Sequence, residues 1–478
     1  MLQFTTSSSQ HTMQHTMQHT IDKPRTAWLD GLRGLAAAIV AFNHFFMGGI
    51  FDFAFHSYWA DPASANRHFI QLPPIRLLFS AHAMVALFFV ISGYALSINL
   101  LRLRDAPPSS SLTASSSATN QTLLRGLSSA TTRRIFRIYL PVFLVAILSQ
   151  LLFFCGLYHW SFGDNVVWGR QPWTAPLFHF TYLLRYLLDI VNIIQFHHNP
   201  GLNGQLWTMP IEFRGSLMVY LVILGMAFWR KEMRVGGVFV LAVYFLWYGI
   251  WDGVGFLGGL GVAELAQGLH SSSEDAVLGE GWWVGRKDGE PGLSSASAGG
   301  LKAKAKTLLT GFCFLMGLHL LCLGDDGVLT PGYRWLGSLQ SPRWDDDWAI
   351  VSKCWKTVGS VLVVYAIDRV EVLQRALERP TPQFLGRISF SLYLVHQSVY
   401  HVARDPVRNG LWWILTGREY PATDEEALAG GMGVFVVSWG VTAVVMGILV
   451  VWLSSWWTRV VDARCVRLSR RIDEWLSR

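Results

Sequence analysis

Long apolar runs recur along the chain and constrain its fold more than any other feature. A helix needs about 20 mostly apolar residues to cross a bilayer, and ten runs approach that length. Only 15% of the 478 residues are charged, whereas soluble domains carry about 25%. The sequence therefore predicts an all-α, polytopic transmembrane helical bundle with about ten spans. The predicted spans are 27–50, 76–100, 138–158, 176–196, 209–229, 236–260, 307–323, 348–367, 386–404 and 432–457.

The composition also excludes several classes of protein. The 39 basic residues are scattered along the chain and are not grouped on one polar domain, so we expect no nucleic-acid partner. The five cysteines are odd in number, form no CxxC pair and mostly lie in apolar runs. We therefore expect no disulfide framework and no metal site.

The distribution of charge predicts an orientation, because loops with an excess of Lys and Arg stay in the cytosol. With all ten spans, the basic segments 101–137 and 368–387 and the basic C-terminal tail lie inside, and the acidic loops around Asp345 and Asp424 lie outside. Both termini are then cytosolic. One short basic loop, 230–234, lies outside against the rule. Removing the fourth span would repair that loop but would invert every later span.

These assignments divide the chain into three parts. Residues 1–26 are polar and are expected to form a disordered cytosolic tail. Residues 27–457 form the transmembrane domain, and 458–478 form a basic cytosolic tail. Within the domain, Ser- and Gly-rich composition predicts flexible loops at 101–132 and 268–300.

The first span carries ionisable residues, which are costly inside a bilayer and therefore indicate a function. Asp30, Arg33 and His44 all lie in its sequence WLDGLRGLAAAIVAFNHFF. Arg33 and His44 differ by about 20° around a helix axis and by about 16 Å along it. We therefore expect both on one face of a shared hydrated cavity, with Asp30 paired to Arg33. The other interpretation is that Arg33 reaches lipid headgroups and that His44 hydrogen-bonds between helices.

Five segments, the first of them in this span, form a recognisable series. In chain order they are LDGLRGLAAAIVAFNH from Leu29, LFFVISGYAL from Leu87, RRIFRIYLP from Arg133, QLWTMPIEF from Gln205 and FLGRISFSLYLVHQ from Phe384. Together they resemble the membrane-integral acyltransferase 3 family, whose hallmark is an Arg-x10-His spacing. The resemblance extends over roughly residues 27–455, nearly the whole chain.

The resemblance implies an enzyme that moves an acyl group, usually acetyl, from a coenzyme A thioester to a hydroxyl of a sugar, a lipid or another small molecule. It implies no tightly bound cofactor, since acyl-coenzyme A is a co-substrate. Guanidinium groups suit that co-substrate because they bind phosphate in a bidentate manner. The expected catalytic residues are His44, Arg33 and Glu212, and the expected acyl-coenzyme A residues are Arg133, Arg134, Arg137, Ser389, Tyr393 and His396.

A mechanism follows from these residue types. A neutral imidazole can take a proton from a hydroxyl, so His44 is expected to act as general base. Arg33 would steer the thioester, and Tyr393 or Ser389 would stabilise the oxyanion. A covalent acyl-histidine relay remains open as a variant.

Other interpretations are also open. The arginines of 133–137 could anchor the chain on anionic lipid, Glu212 could pair with a nearby Arg, and Tyr393 and His396 could hydrogen-bond between helices. A different class of protein, a secondary transporter or proton-coupled exporter, also places ionisable residues inside a bundle. A catalytically silent membrane scaffold is the third alternative.

Overall fold

The structure is a computed structural model that describes most of the chain. The described residues are 26–47, 49–105, 116–160, 162, 166–194, 201–279, 293–324, 327–344 and 348–477. The predicted N-terminal tail lies outside them except for Thr26. Within these ranges the chain is helical and contains no strand, so the prediction of an all-α fold is confirmed.

The helices follow the apolar runs closely. In chain order they are α1 (Ala27–Phe45), α2 (Ala81–Arg104), α3 (Ser116–Phe154), α4 (Pro176–Val191), α5 (Thr208–Gly225), α6 (Lys231–Trp247), α7 (Trp251–Gly279), α8 (Leu293–Leu321), α9 (Arg334–Gly337), α10 (Trp348–Arg369), α11 (Glu371–Leu377), α12 (Pro380–Thr416), α13 (Asp424–Gly430), α14 (Met432–Trp457) and α15 (Ala463–Leu476).

Five helical segments of the described chain are long and apolar enough to cross a membrane. They are Ala81–Arg104, Gln121–Phe154, Gly204–Gly225, Ala349–Arg369 and Met432–Leu476. These segments support a membrane protein. The prediction of about ten spans goes beyond them and stays a prediction.

The predicted span 236–260 is wrong as a single helix. The backbone reverses at Gly249, whose φ of 71° lies in the left-handed region that favours glycine. The run therefore becomes a hairpin of α6 and α7. Arg234 and Glu264 each lie fifteen residues from this turn, and their side chains are 3.6 Å apart. A contact so far from the turn requires the two helices to run antiparallel over this length.

The same hairpin corrects the location of the basic loop 230–234. Glu264 binds Arg104 at the end of α2 at 2.7 Å, and Arg234 reaches the neighbouring Asp105 at 3.2 Å. The loop therefore lies at the same end of the bundle as the C-terminus of α2, not at the opposite end as predicted. Both Arg104 and Glu264 are almost fully buried, so the charges neutralise each other inside the protein.

The fourth predicted span, 176–196, does not carry the chain to the far end of α3. Helix α4 starts beside the end of α3, where His179 lies 2.9 Å from Gln150. Two turns later the Tyr186 hydroxyl donates to the carbonyl of Asn203. The amide of Asn203 in turn donates to Ser149 at 2.6 Å. The chain after α4 has therefore returned to the end of α3 at which α4 began.

The predicted flexible loops are largely helical where the structure describes them. Helix α2 continues to Arg104 and α3 already begins at Ser116, which corrects the loop at 101–132. Helix α7 continues to Gly279 and α8 begins at Leu293, which corrects the loop at 268–300. The remaining parts of both segments, 106–115 and 280–292, lie outside the described residues.

The basic C-terminal tail is also helical. A π-helical turn at Thr458–Asp462 joins α14 to α15. Helix α15 is amphipathic and packs along the first part of α3, where the Ser129 hydroxyl donates to Asp473 at 2.5 Å. The tail therefore lies at the end of the bundle where α3 begins.

Helices α1 and α12 pack in parallel and touch through glycines. A methyl group added at Gly34 would lie 2.3 Å from the backbone nitrogen of Gly386. Ten residues further along both helices, His44 meets His396 at 2.8 Å. Both pairs have the same sequence separation of 352 residues, so the two helices keep one register between them. Small residues permit this close approach, as is common between membrane helices.

We expect Gly386→Ala to weaken this packing. The added methyl group would lie 2.3 Å from the carbonyl oxygen of Asp30, and backbone atoms cannot rotate away. The free energy of unfolding should fall by about 1–3 kcal/mol, measured as a lower melting temperature in detergent micelles.

Gly410→Ala on the same helix is the matched control. Nothing in the described chain lies within 4 Å of a methyl group added there, so this change should be neutral or should gain up to about 1 kcal/mol. Equal melting temperatures for the two variants would contradict the close contact between α1 and α12.

Candidate active site

A polar cavity of about 280 Å³ opens between α1, α2, α3, α5 and α12. We call it the inner cavity. Its lining contains four guanidinium groups and two carboxylates, so positive charge is in excess. These six side chains belong to Arg33, Arg134, Arg137, Arg387, Glu212 and Asp462.

Two of these arginines are already paired. Arg134 forms an ion pair with Glu212, which also accepts a hydrogen bond of 2.6 Å from the Ser92 hydroxyl. Arg33 forms the expected pair with Asp30 one turn earlier on α1. Each ion pair engages part of a guanidinium donor set, and both arginines line the inner cavity.

A second cavity, of about 330 Å³, adjoins the first. We call it the outer cavity. His44 and Asn43 line it from α1, and Lys356 lines it from α10. The two cavities share Val85 and Tyr393 as lining residues, so they meet at these side chains. The expectation of one cavity shared by Arg33 and His44 is therefore corrected, because the two residues line adjoining cavities.

The contact between His44 and His396 fixes the protonation of both rings. Nδ1 of His396 lies 3.0 Å from the carbonyl oxygen of Leu392, which can only accept. His396 therefore carries its proton on Nδ1 and accepts at Nε2, 2.8 Å from Nδ1 of His44. A neutral His44 must then donate from Nδ1 and carry its lone pair on Nε2. His396 is fully buried, so water does not compete for this bond.

The two residues expected to stabilise an oxyanion are engaged elsewhere. The Tyr393 hydroxyl donates to the carbonyl of Gln205 at 2.8 Å and lies 2.8 Å from the Thr208 hydroxyl. The Ser389 hydroxyl donates to the carbonyl of Gly386 at 2.8 Å. Since each hydroxyl has one proton, neither is a free donor. Both side chains nevertheless line the inner cavity.

The geometry does not bring Arg133 to the cavity. Its side chain is 47% exposed and lies 3.6 Å from Asp473 of α15. Helical spacing explains the difference, because adjacent residues point about 100° apart and Arg134 faces inward. Among the expected acyl-coenzyme A residues, Arg133 is turned away from the site, and the buried His396 belongs to the lining of neither cavity.

Several lining residues escaped the sequence analysis. Ser92 was part of a motif that resembled the family, and its neighbour Gly93 does permit close packing, since a methyl group there would meet the Phe256 carbonyl at 2.2 Å. Asn43 directly precedes His44, and Asp462 lies on the π-helical turn. Short π-helical segments are often found at functional sites, but no pattern in the sequence predicted this one.

The apolar helices and the cavities lined by charged side chains indicate a membrane protein with a polar site. Residues 26–456 match the family model described as an acyltransferase domain. This match covers most of the chain, which therefore belongs to the acyltransferase 3 family and is an acyltransferase. The resemblance of its motifs is thereby confirmed.

Curated acyltransferases are similar to this chain over most of their length. O-acetyltransferase PaAT-1 from Phomopsis amygdali is 28% identical, over 93% of this chain and 84% of the relative. Acyltransferase clz18 from Cochliobolus lunatus is 24% identical, over 86% and 89%. Acyltransferase R4 from a Phoma species is 24% identical, over 78% and 82%. No solved structure matches this chain.

We expect two neighbouring arginines to differ sharply in their contribution to stability. Arg134→Gln leaves the half-buried Glu212 without its counter-ion, so the free energy of unfolding should fall by about 1–3 kcal/mol. Arg133→Gln breaks only a half-exposed contact and should cost no more than about 1 kcal/mol. Melting temperatures of the two variants in one detergent provide the comparison, and a larger loss for Arg133→Gln would contradict the geometry described above.

Proposed function

We propose that this acyltransferase moves an acyl group, such as acetyl, from acyl-coenzyme A to a hydroxyl group of a small molecule or lipid. One observation carries the proposal. His44, whose Nε2 carries the lone pair, lines the outer cavity. This cavity adjoins the arginine-lined inner cavity at Tyr393. A base for the acceptor and a cationic site for the donor thus lie side by side.

The inner cavity suits the acyl-coenzyme A donor. Excess guanidinium charge attracts the phosphates of coenzyme A, and arginine binds phosphate in a bidentate manner. The volume of about 280 Å³ is at the small end for organic ligands. We therefore assign to the cavity the acyl-pantetheine arm, with the phosphates held by Arg137 and Arg387 towards its opening.

The outer cavity suits the acceptor. The acceptor hydroxyl would donate to Nε2 of His44, which removes its proton as the oxygen attacks the thioester carbonyl. General-base assistance of this kind contributes about 10²- to 10⁴-fold to the rate. Arg33 and Glu212 act from the inner cavity, where Glu212 orients Arg134 and Arg33 adds positive charge near the thioester.

We infer a revised set of ten crossings. Helices α1 and α12 are parallel, so the chain between them must cross an odd number of times. Helices α2, α3, α5, α6, α7, α8 and α10 satisfy this condition if α4 turns back within one leaflet. The loop 230–234 then obeys the positive-inside rule, both termini are cytosolic, and coenzyme A reaches the inner cavity from the cytosol.

His44→Ala tests the proposed base. Membranes that contain the wild-type or variant chain are incubated with acetyl-coenzyme A labelled in its acetyl group and an organic extract of cells that lack the protein. We expect labelled ester from the wild type and at least about 100-fold less from the variant. Binding of acetyl-coenzyme A, measured by equilibrium dialysis, should be unchanged. A fully active variant would exclude His44 as the base.

His396 should act as a positioning residue for His44. His396→Leu removes the acceptor of the Nδ1 proton, so His44 loses its fixed tautomer and the rate should fall by about 100-fold. His396→Gln retains a carbonyl oxygen that can accept that proton and should restore part of the rate. If both variants lose the same activity, the role of His396 is packing and not tautomer control.

A further inference from the structure

The outer cavity contains a hydrogen-bond donor that the fold leaves unused. The side chain of Asn43 is 2% exposed, and its Nδ2 has no hydrogen-bond partner among the residues that the structure describes. A buried donor without a partner costs about 1–3 kcal/mol. Such groups are rare in folded proteins, and each one calls for an explanation.

The location of Asn43 supplies that explanation. It directly precedes His44 on α1, and both side chains line the outer cavity. The unpaired N–H donor of Asn43 and the imidazole lone pair of His44 therefore belong to neighbouring side chains that line the same cavity. A reaction that removes a proton from one oxygen and places negative charge on another requires one group of each kind.

We propose that Asn43 is a catalytic residue whose Nδ2–H donates to the carbonyl oxygen of the transferring acyl group and stabilises the oxyanion. This inference rests on the proposed function. Three other donors of the cavities fit the role less well. Tyr393 and Ser389 donate to backbone carbonyls, and Lys356 is engaged in an interaction of its own.

The chemical step balances with these two side chains. Nε2 of His44 takes the acceptor proton as the acceptor oxygen bonds to the acyl carbon. The carbonyl π electrons move to its oxygen, which accepts the hydrogen bond from Asn43. When the carbonyl re-forms, the carbon–sulfur bond breaks, and the departing thiolate takes the proton back from His44. The products are the ester and free coenzyme A.

The proposed role of Asn43 leads to an unusual prediction about the stability of the variants. Loss of a hydrogen bond normally destabilises a protein, but Asn43 Nδ2 has none to lose in the absence of substrate. Replacing an unpaired buried polar group by an apolar one of similar size is close to neutral or stabilising. Asn43→Leu should therefore lower the rate without lowering the melting temperature.

The experiment uses the full-length protein and the labelled acetyl-coenzyme A assay above. We expect Asn43→Leu to lower kcat by about 10²- to 10³-fold, the usual effect of removing one oxyanion donor. The KM for acetyl-coenzyme A should change little, since the donor acts in the transition state. Asn43→Ala, which cannot clash with its neighbours, should lose a similar fraction of kcat.

Ser352→Ala is the matched control. The Ser352 hydroxyl is likewise buried and unpaired within the described chain, but it does not belong to the lining given for either cavity. This variant should keep both its melting temperature and its activity. It separates the removal of an unpaired polar atom as such from the removal of this particular donor.

Each outcome is decisive. Loss of kcat with an unchanged or higher melting temperature supports the assignment of Asn43. An active Asn43→Leu enzyme, or a loss of activity matched by a fall in melting temperature in both Asn43 variants, overturns it. A wild-type protein that transfers no acetyl group would instead contradict the proposed function and leave no reaction for Asn43 to assist.

Discussion

The contact between the glycines of α1 and α12 is the constraint on which the candidate site depends. At Gly34 and Gly386 the two backbones approach so closely that neither position has room for a methyl group. Because the helices are parallel and keep one register, the same approach recurs ten residues further on as the hydrogen bond between His44 and His396. Packing of the glycines at one level of the two helices thus sets the contact between the histidines at another.

Much of the fold can be predicted from hydrophobicity, and the errors of that prediction have a common cause. Each apolar run does contain helix, because a backbone surrounded by lipid or apolar side chains must satisfy its hydrogen bonds internally. The reversal at Gly249 was missed because hydropathy is continuous through Tyr248, Gly249 and Ile250 and does not record φ. The return of the chain after α4 was missed because it depends on Asn203 meeting Ser149 of another helix.

The residues of the candidate site likewise fall into those that the sequence could predict and those that required the structure. Arg33 and His44 could be identified from a single helix, since their spacing places them on one face. The family motifs added His396 and Tyr393. Asn43, in contrast, is informative only through what surrounds it, because a buried amide is ordinary until its partners are counted. The inward direction of Arg134 and outward direction of Arg133 likewise required the rotation of α3 relative to α5.

The ionic contact at the end of α2 has a consequence for biogenesis. Glu264 belongs to α7 but is neutralised by Arg104, which is synthesised 160 residues earlier. A carboxylate without that partner would oppose the entry of α7 into the lipid phase. Within the α6–α7 hairpin Arg234 lies 3.6 Å from Glu264, and Arg104 of α2 adds a closer counter-ion at 2.7 Å. Because α2 is synthesised before α6 and α7, Arg104 is already present when Glu264 is synthesised.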